Sequence, residues 1–252
     1  PYDVVVERLH IEEPEPPAPV TEPEKTFEEV LDEHPVSIQV NGQWQTFPNA
    51  KAAEEASYEE YKANLRRNAK NFRITDEHLG EGGPKAKFQA NVNAIRLLKE
   101  LEAAGQQASP EQQEVLSRYV GWGGLSDAFD PEKPAWALEY AQLKELLTPE
   151  EYAAARSSTL NAHYTSPTVI QAIYEAVDRM GFETGNILEP SMGVGNFFGM
   201  LPEKMRNSRL YGVELDPVSG RIAKQLYPKA DITVGGFETT DRRDFFDLAI
   251  GN

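Results

Sequence analysis

The sequence predicts an α/β fold, the N-terminal half of a doubly wound parallel sheet, preceded by a mainly helical region. Three observations carry this. From about Asn161, short apolar strands alternate with helices, which implies parallel pairing through right-handed crossovers. The stretch from 71 to 160 carries helical spacing and helix-start signals instead. A glycine turn, Gly193-Val194-Gly195, sits between the first strand of the alternating part and the helix after it.

Each element follows from local chemistry. Residues 1–10 read as the end of a preceding domain. Residues 11–35 are rich in Pro and Glu, with too little apolar surface to offset ordering entropy, and read as a linker. The next unit, 36–70, is a hairpin plus a helix. Its strands flank Asn41-Gly42, a pair suited to the positive φ angles of a tight turn. Asn49 can cap a helix from about Ala50 to Ala69. Gly80 to Pro84 is a break. A helix from about Lys87 to Ala104 follows, with Val92, Ile95, Leu98 and Leu101 on one face. Ser109-Pro110-Glu111 and Thr148-Pro149-Glu150 are two further helix starts, each with a capping hydroxyl, Pro in the first turn and an acid behind it. In 161–252 we expect a helix over Pro167–Met180 and a strand over Asn186–Glu189. The helix after the glycine turn should reach about Lys204. A strand over Arg209–Glu214, a helix over Pro217–Tyr227, and strands over Asp231–Val234 and Phe246–Ile250 complete the pattern.

Composition excludes several classes. The chain has 252 residues and no cysteine, which removes disulfides and thiolate metal sites and fits a cytoplasmic setting. Its four His have no zinc-ligand spacing, so no metal is expected. No apolar run is long enough for a membrane span. The chain opens on Pro1 without an apolar leader, and reads as an internal fragment. The net charge is −16, unsuited to non-specific DNA binding, which depends on Lys and Arg at phosphates. Residues 61–99 carry nine basic and three acidic side chains, so Lys62, Arg66, Arg67, Lys70 and Arg73 are the local candidates for a weak nucleic-acid contact. A solvated helix face is the simpler reading of the same charges. Gly-Trp-Gly-Gly-Leu around Trp122 reads as a tight turn with the indole in a core, with a ligand-lining loop as the alternative.

Three ligands compete for the glycine turn. A triphosphate loop needs Gly-Lys-Ser/Thr after its first glycine, and none is present. A dinucleotide turn needs a third glycine for close helix packing, and Phe198 stands there. S-adenosylmethionine has no pyrophosphate to hold. Glycines would let the backbone approach its methionine part, and Glu189, at the end of the first strand, can accept from its ammonium. Glu214 ends the second strand, 25 residues after Glu189, near the roughly 20-residue spacing at which an acid meets ribose hydroxyls. An adenosine-type cofactor is the favoured ligand.

Ile187 to Phe197 resembles motif I of the amino-methylating DNA methyltransferases, with an acid, Pro190, Gly-x-Gly and an aromatic. Gly212 to Pro217 resembles their motif II, Asn161 to Pro167 their motif X, and the closing Asp-Leu-Ala-Ile-Gly-Asn the start of motif IV. This order is that of the gamma arrangement of adenine-N6 methylases. Residues 70–252 also resemble the segment around the methylase domain in large methylase–helicase fusion proteins of bacterial conjugative transposons and phages. The resemblance implies a Rossmann-like S-adenosylmethionine-dependent methyltransferase sheet, with a helicase downstream in the same polypeptide.

It also assigns residues. Tyr164 and Thr165 would contact the cofactor's carboxylate end. Glu189, Pro190, Gly193, Gly195 and Asn196 would form the motif I site. Glu214 would hold the ribose, and Leu215 would pack on the adenine. Phe237 and Glu238 would stand in motif III. Asn252 would be the catalytic amide that accepts from the exocyclic amine of an adenine extruded from DNA. With the rest of motif IV absent after Asn252, and about four of seven family strands present, the fragment itself is expected to be inactive, its strand Phe246–Ile250 at a sheet edge. A methylase of protein glutamine or RNA, and a non-catalytic DNA-docking or scaffold module, are the alternatives.

Overall fold

The computed structural model describes residues 34–160, 162 and 164–252, apart from the side chains of 61, 62 and 64–68. The expected preceding-domain end and nearly all of the linker lie outside the described residues. The chain divides into two units, 1–62 and 63–252.

In the first unit, strands β1 (Val36–Val40) and β2 (Gln43–Phe47) pair antiparallel. The turn between them has φ of 52° at Asn41 and 76° at Gly42, both positive as a two-residue hairpin turn demands. Helix α1 (Ala50–Asn68) starts where expected, with Asn49 Oδ1 accepting from the Ala52 N–H at 2.9 Å.

The second unit begins its helices with α2 (Pro84–Ala103), three residues earlier than expected. Pro84 lacks the N–H that the first turn leaves unpaired, and its fixed φ suits that turn, so the helix begins on it. Phe88, Val92, Ile95, Leu98 and Leu101 form its buried stripe. Helices α3 (Pro110–Ser117) and α5 (Pro149–Ser158) each open on a full capping box, Ser109 with Gln112 and Thr148 with Glu151. Between them α4 (Ala137–Leu146) was not expected. It grows from a 3₁₀ turn at Pro134–Trp136, without a capping side chain to announce it. Trp122 is buried, edge-on to Phe88, Tyr119 and Phe129, as the tight-turn reading required.

Helix α6 (Pro167–Arg179) leads into strands β3 (Asn186–Glu189), β4 (Arg209–Glu214), β5 (Asp231–Val234) and β6 (Leu248–Ala249). All pair parallel, in the order β5-β4-β3-β6. Helix α8 (Pro217–Leu226) carries the crossover from β4 to β5. The last strand is shorter than expected and lies at an edge. Its flanks still bond to β3, from the Asp247 N–H to the Asn186 carbonyl and from the Ile250 N–H to the Leu188 carbonyl.

One expectation is corrected. The helix after the glycine turn, α7 (Asn196–Gly199), is a single turn and does not reach Lys204. Leu201 precedes Pro202, whose ring disfavours the helical region for the residue before it. Gly199 is also taken by the chain upstream, its carbonyl accepting from the Ile74 N–H at 2.9 Å. Helices and sheet share one apolar core, in which Val92, Leu98 and Trp122 join Ile187, Phe197 and Ile222. Gln113 Nε2 bonds the carbonyls of Gln225 and Leu226, so α3 is fastened to the last turn of α8.

Candidate functional site

Parallel strands all end on one side of their sheet, and a crevice opens where the strand order reverses. Here that point lies between β3 and β6. The chain leaves β3 at Glu189, β4 at Glu214, and β6 shortly before Asn252. All three residues wall one cavity of about 600 Å³.

The glycine turn forms its floor. Gly193 and Gly195 both have left-handed φ, 55° and 84°, where a side chain is strained. The Gly193 N–H donates to Glu214 Oε2 at 2.6 Å, and the Asp216 N–H donates to Glu214 Oε1 at 2.7 Å. One carboxylate thus ties the first strand's loop to the end of the second strand. Each of its oxygens keeps a further acceptor site. Burial raises the Glu214 pKa, and the two backbone N–H groups oppose the rise.

Glu189 is more extreme. It is 3% exposed, and its Oε2 has no hydrogen-bond partner among the described residues. Burial first, and then the Glu214 carboxylate, push its pKa well above the ordinary value. A buried carboxyl with no cation stays protonated, and a ligand ammonium would supply the missing charge and donors. Asp216 Oδ2 is a second buried acceptor without a partner among the described residues, while Oδ1 caps α8 through the Ser219 N–H.

Tyr164, Thr165, Glu189, Gly193, Asn196, Glu214, Leu215 and Asn252 therefore share one cavity. Pro190, Gly195, Phe237 and Glu238 do not line it. A Cβ on Gly195 would meet Tyr227 Cε2 at 2.6 Å and Met192 Cε at 2.9 Å, so that glycine serves packing. Phe237, 52% exposed, and Glu238 sit on a 3₁₀ turn after β5, the strand farthest from the reversal point. In the basic segment, the side chains of Lys62, Arg66 and Arg67 lie outside the described ones. Lys70 is exposed. Arg73 donates to the Leu201 carbonyl at 3.1 Å, which spends it inside its own unit.

Sequence reasoning missed a wall. Ala154, Ser157 and Ser158 of α5 face the cavity. Ser157 and Ser158 donate to carbonyls one turn back and leave only small groups toward the space. No motif marks them, because a small helix face becomes a wall only through tertiary packing.

No protein-family model matches the chain. Among curated proteins it is 45% identical over 71 residues to the Type II methyltransferase M.CvrRI of Paramecium bursaria Chlorella virus XZ-6E, 28% of this chain and 18% of that one. It is 26% identical over 176 residues to the Defense against restriction protein B of Escherichia phage P1, 69% of this chain and 6% of that one. Over part of its length the chain is thus similar to a methyltransferase. It spans less than a fifth of the length of either curated relative. A solved Listeria monocytogenes protein described as a class I S-adenosylmethionine-dependent methyltransferase aligns over 67% of this chain and 58% of its own, with 15% identity and a TM-score of 0.34. The residues that wall the cavity fit S-adenosylmethionine. Glu189 offers a cation an unpartnered acceptor, and Glu214 keeps free acceptor sites for hydroxyls. Among the described residues, no helix is long and apolar enough to cross a membrane.

Proposed function

We propose that this chain is the cofactor-binding part of a DNA adenine-N6 methyltransferase that protects mobile DNA against restriction. The observation that carries the reading is that Asn252 walls the same cavity as Glu189 and Glu214. The phage relative's name, Defense against restriction protein B, supports the protective role. The methyltransferase relative supports the chemistry.

When bound, S-adenosylmethionine supplies an electrophilic methyl group on a sulfonium. The chain's residues do the rest. Glu189, once ionised, holds the ammonium, and Glu214 accepts from the ribose hydroxyls. Leu215, 74% exposed at the cavity mouth, offers an apolar face to the adenine of the cofactor. The Asn252 amide oxygen accepts from the substrate's exocyclic amine and turns its lone pair toward the methyl group. Held by Glu189 and Glu214, the cofactor would supply its methyl group to that lone pair, and the amine would lose its proton to solvent.

Calorimetric titration of the chain with S-adenosylmethionine tests the cofactor site, and absence of binding would overturn the reading. Transfer of labelled methyl by the longest natural form of the polypeptide, offered DNA, RNA and protein separately, tests the substrate. Label on the N6 of adenine in DNA is expected, and Asn252→Ala should abolish it while leaving cofactor affinity in place. Label on RNA or protein alone would exclude the DNA assignment.

A further inference from the structure

The loop from Tyr119 to Gly124 belongs to the helical region, and the proposed function gives it no part. It nevertheless reaches the cavity through Tyr164. A Cβ on Gly121 would stand 2.5 Å from Cε2 of the Tyr164 ring. A Cβ on Gly193 would stand 2.8 Å from Cε1 of the same ring. Two glycines with positive φ, one from each region, therefore grip opposite edges of one aromatic side chain. Tyr119 meets the ring edge-to-face at 6.3 Å, and the Tyr164 hydroxyl donates to Ser219 Oγ at 3.2 Å.

The loop is itself held. Asn91, fully buried on α2, donates from Nδ2 to the Gly121 carbonyl at 2.6 Å. Its Oδ1 accepts from the Val120 N–H at 2.9 Å. The Gly124 N–H donates to the Thr159 carbonyl at 3.0 Å, just after the end of α5 and five residues before Tyr164. A buried amide with both of its functions on one short loop fixes that loop's position, since breaking either bond leaves a buried polar group unpaired.

We propose that Asn91 and Gly121 are positioning residues for the cofactor cavity. They seat Tyr164 against the glycine turn, and the helical region is thereby an integral part of the cofactor site. The inference rests on the S-adenosylmethionine reading of the cavity. It predicts that a small displacement of the ring, caused from outside the cavity, loosens the cofactor, because a site held loosely by its supporting residues loses much of its effect.

Calorimetry with S-adenosylmethionine on the full chain, with thermal melts alongside, tests this. Gly121→Ala is expected to weaken binding about tenfold, a coupling of the size found between contacting residues. Asn91→Ser adds no atom near the ring, is expected to weaken binding several-fold, and decides the matter alone if Gly121→Ala does not fold. In a Tyr164→Leu background both substitutions should lose their effect on affinity while still lowering the melting temperature. If they lower the melting temperature but leave affinity within about twofold, or weaken it equally with and without Tyr164, the loop is only structural and the proposal fails. No binding by the unsubstituted chain would overturn the cofactor reading and this inference together, whereas unimpaired binding by the variants overturns this inference alone.

Discussion

Glu189 and Glu214 show how one residue type meets two environments in one cavity. Glu214 has two backbone donors, while Glu189 has burial and a neighbouring carboxylate. For Glu189 the folded pKa lies above the unfolded one. Its favourable contribution to stability is therefore fully present below the unfolded pKa and is lost as pH rises through the folded value. A bound ammonium reverses the preference by favouring the ionised form. Cofactor affinity should therefore tighten as pH rises above the ordinary carboxylate range, with protons released on binding. Glu189→Gln should flatten that dependence, weaken binding by about tenfold or more as a charge-assisted bond is lost, and leave the ligand-free protein more stable than the original near neutral pH. Calorimetry across pH and melts without cofactor check all three. The two acids were legible in the sequence because each ends a strand that periodicity marks. Their different environments were not, because burial and the Gly193 donor come from other segments. Phe237 and Glu238 lie on the turn after β5 and do not line the cavity, since a motif position says where the chain turns and not which side chains meet.

At the scale of elements, hydrogen-bonding side chains and prolines made most helix starts readable. Ser109, Thr148 and Asn49 each cap the helix they announce. Strand limits were readable where apolar runs are bounded by turn residues, as at Asn186–Glu189 and Arg209–Glu214. Helix α7 was overestimated although Pro202 is a legible stop, and the crowding of Gly199 by Ile74 and Tyr227 is visible only in the folded chain. The glycine turn makes the same point in energy. At Gly42, φ is +76° and nothing lies within 4 Å of an added Cβ, so Gly42→Ala should cost about 1 kcal/mol of backbone strain alone. At Gly195, φ is +84° and Tyr227 stands in the way, so Gly195→Ala should cost about 3 kcal/mol, adding overpacking to strain. Denaturant melts of the two variants compare the costs directly.

At the scale of the second unit, a charged cluster joins the helices to α8. Glu151 accepts from Lys99 at 2.8 Å and from Arg221 at 2.6 Å, and Arg221 also forms a two-bond pair with Glu102. Burial pushes the Glu151 carboxyl up, but the hydrogen bonds from Lys99 and Arg221 prevail and hold it down to about 2. A depressed folded pKa contributes stability that is present above the unfolded value and lost as pH falls through the folded one. The acid limb of the stability curve should therefore fall between about pH 5 and pH 2. Glu151→Gln should remove about 3 kcal/mol at neutral pH, the scale of breaking one partner of a buried pair, and should flatten that limb. No sequence pattern marks this cluster, since its bonded partners lie 52 to 119 positions apart.

The order of the chain gives the grip on Tyr164 a direction in time. Synthesis runs from the N-terminus at about 10 residues per second, and domains begin to fold as they emerge. Asn91 sits on α2 and Gly121 in the loop after α3, 30 positions on, so their contact is of the short-range kind that closes early. Gly193 follows Gly121 by 72 positions, in the turn between two parallel strands whose pairing must wait for the later one. On that order the nascent chain should offer Tyr164 the Gly121 side of its seat before the Gly193 side, and the part of the seat that lines the cofactor cavity is expected to form last.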